Sequence, residues 1–405
     1  MSINKILANT PSLNKRIDYL DAVRAFALLL GIVFHASLSF TPIFIGWAVM
    51  DISTSTVVSI FILVSHSFRM ELFFLIAGFF SHMTLQRKGL ASFTKSRLIR
   101  IAIPFVLGWM VLRPLIVSAW VMGGESLRGD VNILNGLKAG FQSVWQSPHE
   151  LFTGTHLWFL YYLLVITGIV LAFRALFALS EELNSTLIKH SDHLLARLVN
   201  SRFLWIILSM LTGICIWFMN DLGMDTPDKS LFPHWPVFIV YGGFFTFGWL
   251  LYRQQFLLEQ FTHITKTRVT LCLISIATTV ILTDYQFDEG HPNRTIMRAL
   301  FSFSYAMTMW LLVALCIGVF KRFLNQPNKI VRYIADASYW LYLIHLPIVL
   351  WLQIAVAELP FHWSLKLTII SLLTIGVSLI LYDLFVRSSF IGKILNGQRK
   401  QRVLL

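Results

Sequence analysis

The chain has 405 residues, of which 56% are hydrophobic and 13% charged. That balance excludes a soluble globule and predicts an all-α, polytopic integral membrane protein. The formal net charge of +13 raises nucleic acid as a partner, but the placement of the basic residues assigns that charge to membrane orientation instead.

A spanning helix needs roughly 20 mostly apolar residues. On that basis ten spans are predicted, over residues 23–45, 56–84, 101–121, 156–179, 203–219, 232–252, 269–284, 299–320, 338–357 and 366–386. The fifth and seventh are short. Residues 1–405 read as one membrane domain with tails over about 1–22 and 387–405, and no soluble module is attached. The first 22 residues are polar and mildly basic, and no small-residue cleavage site follows, so a cleaved signal peptide is not expected. Cys215, Cys272 and Cys316 fall inside apolar spans at separations matching no metal motif and read as core thiols, with no metal site and no disulfide.

With the N-terminus placed inside, 25 of the 33 Lys and Arg residues fall on inner segments. Six fall on outer loops: Arg128, Lys138, Lys229, Arg294, Arg298 and Lys366. The positive-inside rule then predicts cytoplasmic N- and C-termini, with no nucleic-acid surface.

Ionisable side chains inside lipid are expensive and usually mark function. Along the first helix, Asp21, Arg24 and His35 occur at successive steps of +3 and +11. At 100° per residue the three share one face, with His35 roughly 16 Å beyond Arg24. Asp21 is too far along the helix to orient His35 as the carboxylate of a triad. Taken alone, the pattern equally fits a satisfied core histidine above an interfacial Arg/Asp pair. The second span carries HSFRMELFFLIAGFF, with His66 and Arg69 on one face. Glu71 lies about 200° round the helix from Arg69, so the two do not face each other. A buried arginine without a local carboxylate needs a partner from another helix or an anionic ligand.

Arg97 and Arg100 follow at i and i+3 at the start of the third span. They suit a phosphate-binding mouth, or simply the inner end of a helix. His156 and Trp158 are expected at the outer mouth of the fourth span. Tyr342 and His345 share a face of the ninth, roughly 11 Å in from its cytoplasmic end. Arg113 and Asp383 sit near span ends, where snorkelling to the interface is expected, and His82 near the inner end of its own.

LDAVRAFALLLGIVFH, with ten residues between Arg24 and His35, resembles the Arg-x10-His signature of the acyltransferase 3 family. RLIRIAIP, HLWFL and YLIHLP are similar to further blocks of that family, and the matches run from residue 16 to about 350. Within it, HSFRMELFFLIAGFF looks like the second-helix block of the succinyltransferases of osmoregulated periplasmic glucans. Two points depart from the pattern: Ala77 stands where the family commonly has Ser before Gly-Phe, and Glu71 is not fixed by the motif.

The resemblance implies a bacterial inner-membrane enzyme that moves an acyl group from cytoplasmic succinyl-CoA to sugar hydroxyls of a periplasmic glucan, with no bound cofactor. In that setting His35, Arg69 and Glu71 are the candidate catalytic residues. Asp21, Arg24, Arg97, Arg100 and His345 are candidates for binding the donor, and His156 and Trp158 for the acceptor. Histidine suits a general base, although a covalent acyl-histidine is also open. Arg69 suits either the oxyanion or the far carboxylate of a succinyl group. Two rivals stand beside this reading: an O-acetyltransferase acting on another surface polysaccharide, and a secondary transporter of an anionic solute. Against the transporter, the sequence has neither an internal repeat nor paired Gly/Pro-broken helices.

Overall fold

The computed structural model describes residues 17–127, 129, 131–145, 155–286 and 290–403, and among them every regular element is helical. Arg128, counted above on an outer loop, lies outside the described residues.

The first helix, α1 (Asp18–Ser37), opens with Asp18 and Asp21 in its first turn, where acidic groups suit the helix dipole. It ends in a short 3-10 turn, Leu38–Phe40. Helix α2 (Thr56–His66) is capped by the Ser55 hydroxyl, which accepts from the Val57 amide. The chain turns at Ser67 and Phe68 into α3 (Arg69–Arg97), then passes through a π-helical turn, Leu98–Ala102, into α4 (Ile103–Ser126). There follow α5 (Ile133–Gln142), α6 (Trp158–Phe177), α7 (Glu181–Asn200), α8 (Leu204–Trp217), α9 (Trp235–Arg253), α10 (Gln255–Phe261) and α11 (Lys266–Leu282). The last are α12 (Arg294–Phe323), α13 (Lys329–Val356), α14 (Trp363–Leu381) and α15 (Phe390–Asn396).

Among the described residues, seven helical stretches are long and apolar enough to cross a membrane, and nine when α7 with α8 and α10 with α11 each count as one bent span. The chain is a multi-pass membrane protein. Ten spans were expected, and the difference has a local cause. The run Thr56–Ser126 counts as one stretch of 71 residues, yet a straight helix of that length would extend over about 100 Å, several times the hydrocarbon thickness. It is interrupted at Gly89, whose φ of +75° is non-helical. The second and third expected spans lie on either side of that break. The fifth and seventh expected spans are the short helices α8 and α11, which meet their preceding helices at 111° and 65°.

Helix α1 sits inside the bundle, packed chiefly against α13 and also against α12, α14 and α3. Helices α3 and α9 form another close pair. A Cβ on Gly78 would stand 1.9 Å from the Phe245 carbonyl oxygen, and one on Gly248 would stand 1.9 Å from that of Leu75. The two glycines therefore let the backbones touch, as small residues do where lipid supplies no hydrophobic drive.

Three charged groups depart from their expected surface positions. Asp383 is fully buried, accepting from the Tyr333 hydroxyl at 3.3 Å and the Val403 amide, with Arg387 3.8 Å away. Arg113 is buried halfway along the α4 span, its guanidinium 4.9 Å from the Trp109 ring. Lys366 is buried and pairs with Asp51 at 2.7 Å, so it is no outer-loop charge. For Asp383 and Lys366 a partner distant in sequence replaces water, whereas Arg113 lines a cavity between the helices. His82 is a satisfied core histidine, its Nδ1 on the Trp249 carbonyl at 2.9 Å and its ring stacked on the same tryptophan.

Candidate active site

Three helix faces converge on one cavity of about 1620 Å³ that opens to the surface. From α1 come Arg24, Leu28, Gly31 and His35, and from the turn that follows it Leu38, at steps of three and four that make a single stripe. Arg69, Phe73, Ile76 and Phe80 line it from α3, and Ala335, Ser338, Tyr342 and His345 from α13. The bundle thus turns three sequence periodicities into one chamber.

At one end stand Arg24, Arg97 and Arg100. Arg24 donates to the Ala335 carbonyl at 2.9 Å and lies 3.5 Å from Asp21. Arg97 donates to the Ser81 hydroxyl at 2.6 Å. The Arg100 guanidinium occupies the space that a Cβ on Gly397 would need. Leu395 and Asn396 of α15 join the lining here. Asp21 itself does not line the cavity; it holds Arg24.

The middle carries the histidines. The His35 ring is 5.3 Å from that of His345, which is 5.1 Å from that of His156. This revises the expected depths. Helix α13 begins at Lys329, so His345 is roughly 24 Å along it and central; it belongs with His35 and not with the donor arginines. His156 is buried with His345 and is not at an open mouth. Its Nε2 donates to the Leu343 carbonyl at 2.9 Å, and its own carbonyl accepts from the Tyr342 hydroxyl at 2.6 Å. Trp158 lines the cavity and stacks on Tyr241 at 5.4 Å.

Arg69 reaches the same middle region. Its guanidinium carbon is 4.0 Å from the centre of the Phe34 ring, and Phe34 in turn stacks on His66. Its Nε and Nη1 are buried without hydrogen-bond partners among the described residues. Such donors are costly to leave open and suit an anion or a developing oxyanion. Glu71 is fully buried and absent from the cavity lining. As the 200° offset from Arg69 implies, it faces away from the chamber, so it is not placed to touch reacting atoms.

The far end is formed by the segment between α8 and α9, with Asp221, Asp225, Asp228 and Lys229. Asp225 organises it, accepting from the Asn220 and Asp221 amides at 3.0 and 2.7 Å. Burial raises the Asp228 carboxyl above its usual range. Among the described residues no group of three or more His, Cys, Asp or Glu side chains has the arrangement of a metal site.

A family model described as "Acyltransferase domain" matches residues 17–383. The chain belongs to the acyltransferase 3 family. Glucans biosynthesis protein C (OpgC) of Escherichia coli strain K12 is 25% identical over 397 residues, covering 95% of each chain. Proteins of the same name from Escherichia coli O81 (strain ED1a) and O157:H7 (strain EC4115 / EHEC) match with the same identity and coverage. The likeness to a glucan-biosynthesis member, expected from the second-helix block, is shown. No solved structure matches the chain.

Around His35 the acyltransferase fold also gathers residues that spacing does not reveal. Trp47 stacks on His35 with ring centroids 5.7 Å apart and sets its edge against Trp120 at 5.3 Å. Its Nε1 donates to Gln353 Oε1 at 2.9 Å, while Gln353 Nε2 donates to the His35 and Ala36 carbonyls at 3.0 and 3.1 Å. Gln353 had a signal, as a lone amide in the apolar run WLQIAV. Trp47 had none, since it lies in the irregular segment between α1 and α2.

Proposed function

We propose that this protein is an inner-membrane O-acyltransferase that moves a succinyl group from cytoplasmic succinyl-CoA to sugar hydroxyls of an osmoregulated periplasmic glucan. The observation that carries the reading is a single cavity with three arginines at one end and His35 beside Arg69 at its centre, in a chain of this family. The glucan acceptor is drawn from the name of the relatives, and the periplasmic and cytoplasmic sides from the Lys/Arg distribution.

In this reading Arg24, Arg97 and Arg100 hold the donor phosphates through charge-assisted bonds. The thioester lies near His35. The sugar hydroxyl loses its proton to His35 as its oxygen bonds to the thioester carbon. The carbonyl oxygen becomes an oxyanion facing the open donors of Arg69. Collapse breaks the C–S bond, and the departing thiolate takes the proton from His35, which leaves an ester and free CoA. Water must be kept from the thioester, and the burial of Arg69 and His345 around the half-buried His35 serves that.

The test compares the mass and charge of periplasmic glucans with and without the protein. Succinylation adds a carboxylate, so loss of the protein should yield lighter and less anionic glucans. Unchanged glucans would overturn the acceptor assignment. Glucans that lose acetyl mass without losing charge would replace succinyl by acetyl. In reconstituted vesicles, solute flux without acyl transfer would instead favour a transporter.

A further inference from the structure

His345 lies in the middle of α13, and its surroundings fix where its proton is. Nδ1 is 3.1 Å from the Leu341 carbonyl and 2.8 Å from that of Tyr342. Carbonyls only accept, so Nδ1 carries the hydrogen and the neutral ring keeps its lone pair on Nε2. That Nε2 is buried with no hydrogen-bond partner among the described residues. His156 differs: its Nε2 donates to Leu343, and its Nδ1 is 3.4 Å from the Thr155 hydroxyl. Of the three clustered rings, His345 alone offers a fixed, bare acceptor.

The ring facing it is His35, whose Nδ1 is likewise buried and without a partner among the described residues. The centroids are 5.3 Å apart and tilted by 43°. That separation accommodates a nitrogen-to-nitrogen hydrogen bond of about 3 Å after a small ring rotation, and such contacts often tighten only when substrate is bound. A bare, buried nitrogen on each of two adjacent rings costs free energy that one N–H···N bond would recover.

We propose that His345 is the positioning residue for His35. Its Nε2 accepts from His35 Nδ1–H. That bond selects the tautomer in which His35 Nε2 holds the lone pair for the sugar hydroxyl, and it steadies the imidazolium once the proton arrives. His345 thereby takes the place a carboxylate holds in a triad: Asp21 is engaged with Arg24 far along α1, and Glu71 faces away. The proton taken from the sugar hydroxyl stays on His35, never passing to His345, until the leaving thiolate takes it. The inference rests on the acyl-transfer reading, with His35 as base.

The test uses the full-length protein in detergent. His345→Leu fills the space without an acceptor, whereas His345→Gln restores an oxygen near the position of Nε2. The expected result is a kcat loss of about 10²-fold for His345→Leu, recovered at least in part by His345→Gln, with donor KM unchanged in both. Equal losses in the two variants, wild-type turnover in His345→Leu, or a raised donor KM at constant kcat would each overturn the proposal. Should the leucine variant not fold, the ¹⁵N spectrum of histidine-labelled wild-type protein decides: a protonated Nδ1 on His35 supports the assignment, and a protonated Nε2 with bare Nδ1 overturns it. His35→Ala is assayed in parallel. Near-normal activity there would defeat the acyl-transfer reading itself, whereas an inactive His35→Ala beside a fully active His345→Leu defeats only the pairing.

Discussion

Arg69 lays its guanidinium 4.0 Å from the centre of the Phe34 ring, and Phe34 is the residue next to His35 on α1. The contact anchors a buried cation beside the proposed base while leaving Nε and Nη1 without hydrogen-bond partners among the described residues. Lysine would keep the charge but lose the planar fork and its stacking face. If the fork grips the distal carboxylate of a succinyl group, Arg69→Lys and Arg69→Gln should lose succinyl transfer about 10- to 100-fold more than acetyl transfer, the worth of a charged hydrogen bond. If it serves the oxyanion, both donors should fall together. Kinetics with both acyl-CoAs on one purified variant distinguish the two. Loss of thermal stability in detergent without any change in turnover per folded molecule would reduce Arg69 to a structural tie.

The donor end makes a separate prediction. Arg24, Arg97 and Arg100 line one end of the cavity, yet Arg24 and Arg97 already hold protein oxygens, the Ala335 carbonyl and the Ser81 hydroxyl. Alanine at any of the three should raise donor KM by about tenfold or more with little change in kcat, since a charge-assisted bond contributes about 1.5–3 kcal/mol. The wild-type donor KM should itself rise with salt, through screening of the partly exposed Arg24. A donor KM that stays at the wild-type value, with only membrane insertion impaired, would leave these arginines as orientation signals.

Helix faces were legible in the sequence, because 100° per residue fixes which side chains share a stripe. Arg24 and His35 do line one cavity, and Glu71 does fall on the other side from Arg69. Depth and long-range partners were harder. His345 was placed too near the helix end because the apolar window begins at residue 338, whereas α13 starts nine residues earlier in a mixed, polar stretch. Asp383 looked interfacial, and Lys366 like an outer-loop charge, because their partners, Tyr333 and Asp51, are 50 and 315 residues away. No periodicity relates such residues, so only the packed bundle brings them together.

The Asp51–Lys366 pair supplies a stability prediction distinct from catalysis. Both side chains are only 1% exposed, and Lys366 also donates to the Ala357 carbonyl at 3.1 Å. Removing one partner leaves an uncompensated buried charge, which costs about 3–5 kcal/mol. Lys366→Met should therefore lower the thermal midpoint in detergent markedly, and Asp51→Leu should do the same. The double variant should recover most of the loss, because a buried pair replaced by apolar groups of similar volume is often neutral. Additive losses in the double variant would show that the two charges do not depend on each other.

Trp47 gives the last prediction, because it acts on His35 by two separable contacts. Its ring stacks on the imidazole at 5.7 Å, and its Nε1 holds the Gln353 amide that in turn holds the His35 carbonyl. Trp47→Phe keeps the stacking and loses the hydrogen bond. The loss leaves Gln353 Oε1 short of a donor, at a cost of about 1 kcal/mol, so kcat should fall by roughly 2- to 10-fold. Trp47→Ala removes both contacts and opens space beside the base, so its loss should be clearly larger. Donor KM should stay near wild type in both, since neither contact reaches the arginine end of the cavity. Turnover graded as wild type, then phenylalanine, then alanine would tie His35 orientation to the indole. Three equal kcat values would mean that the His35 ring is held without Trp47.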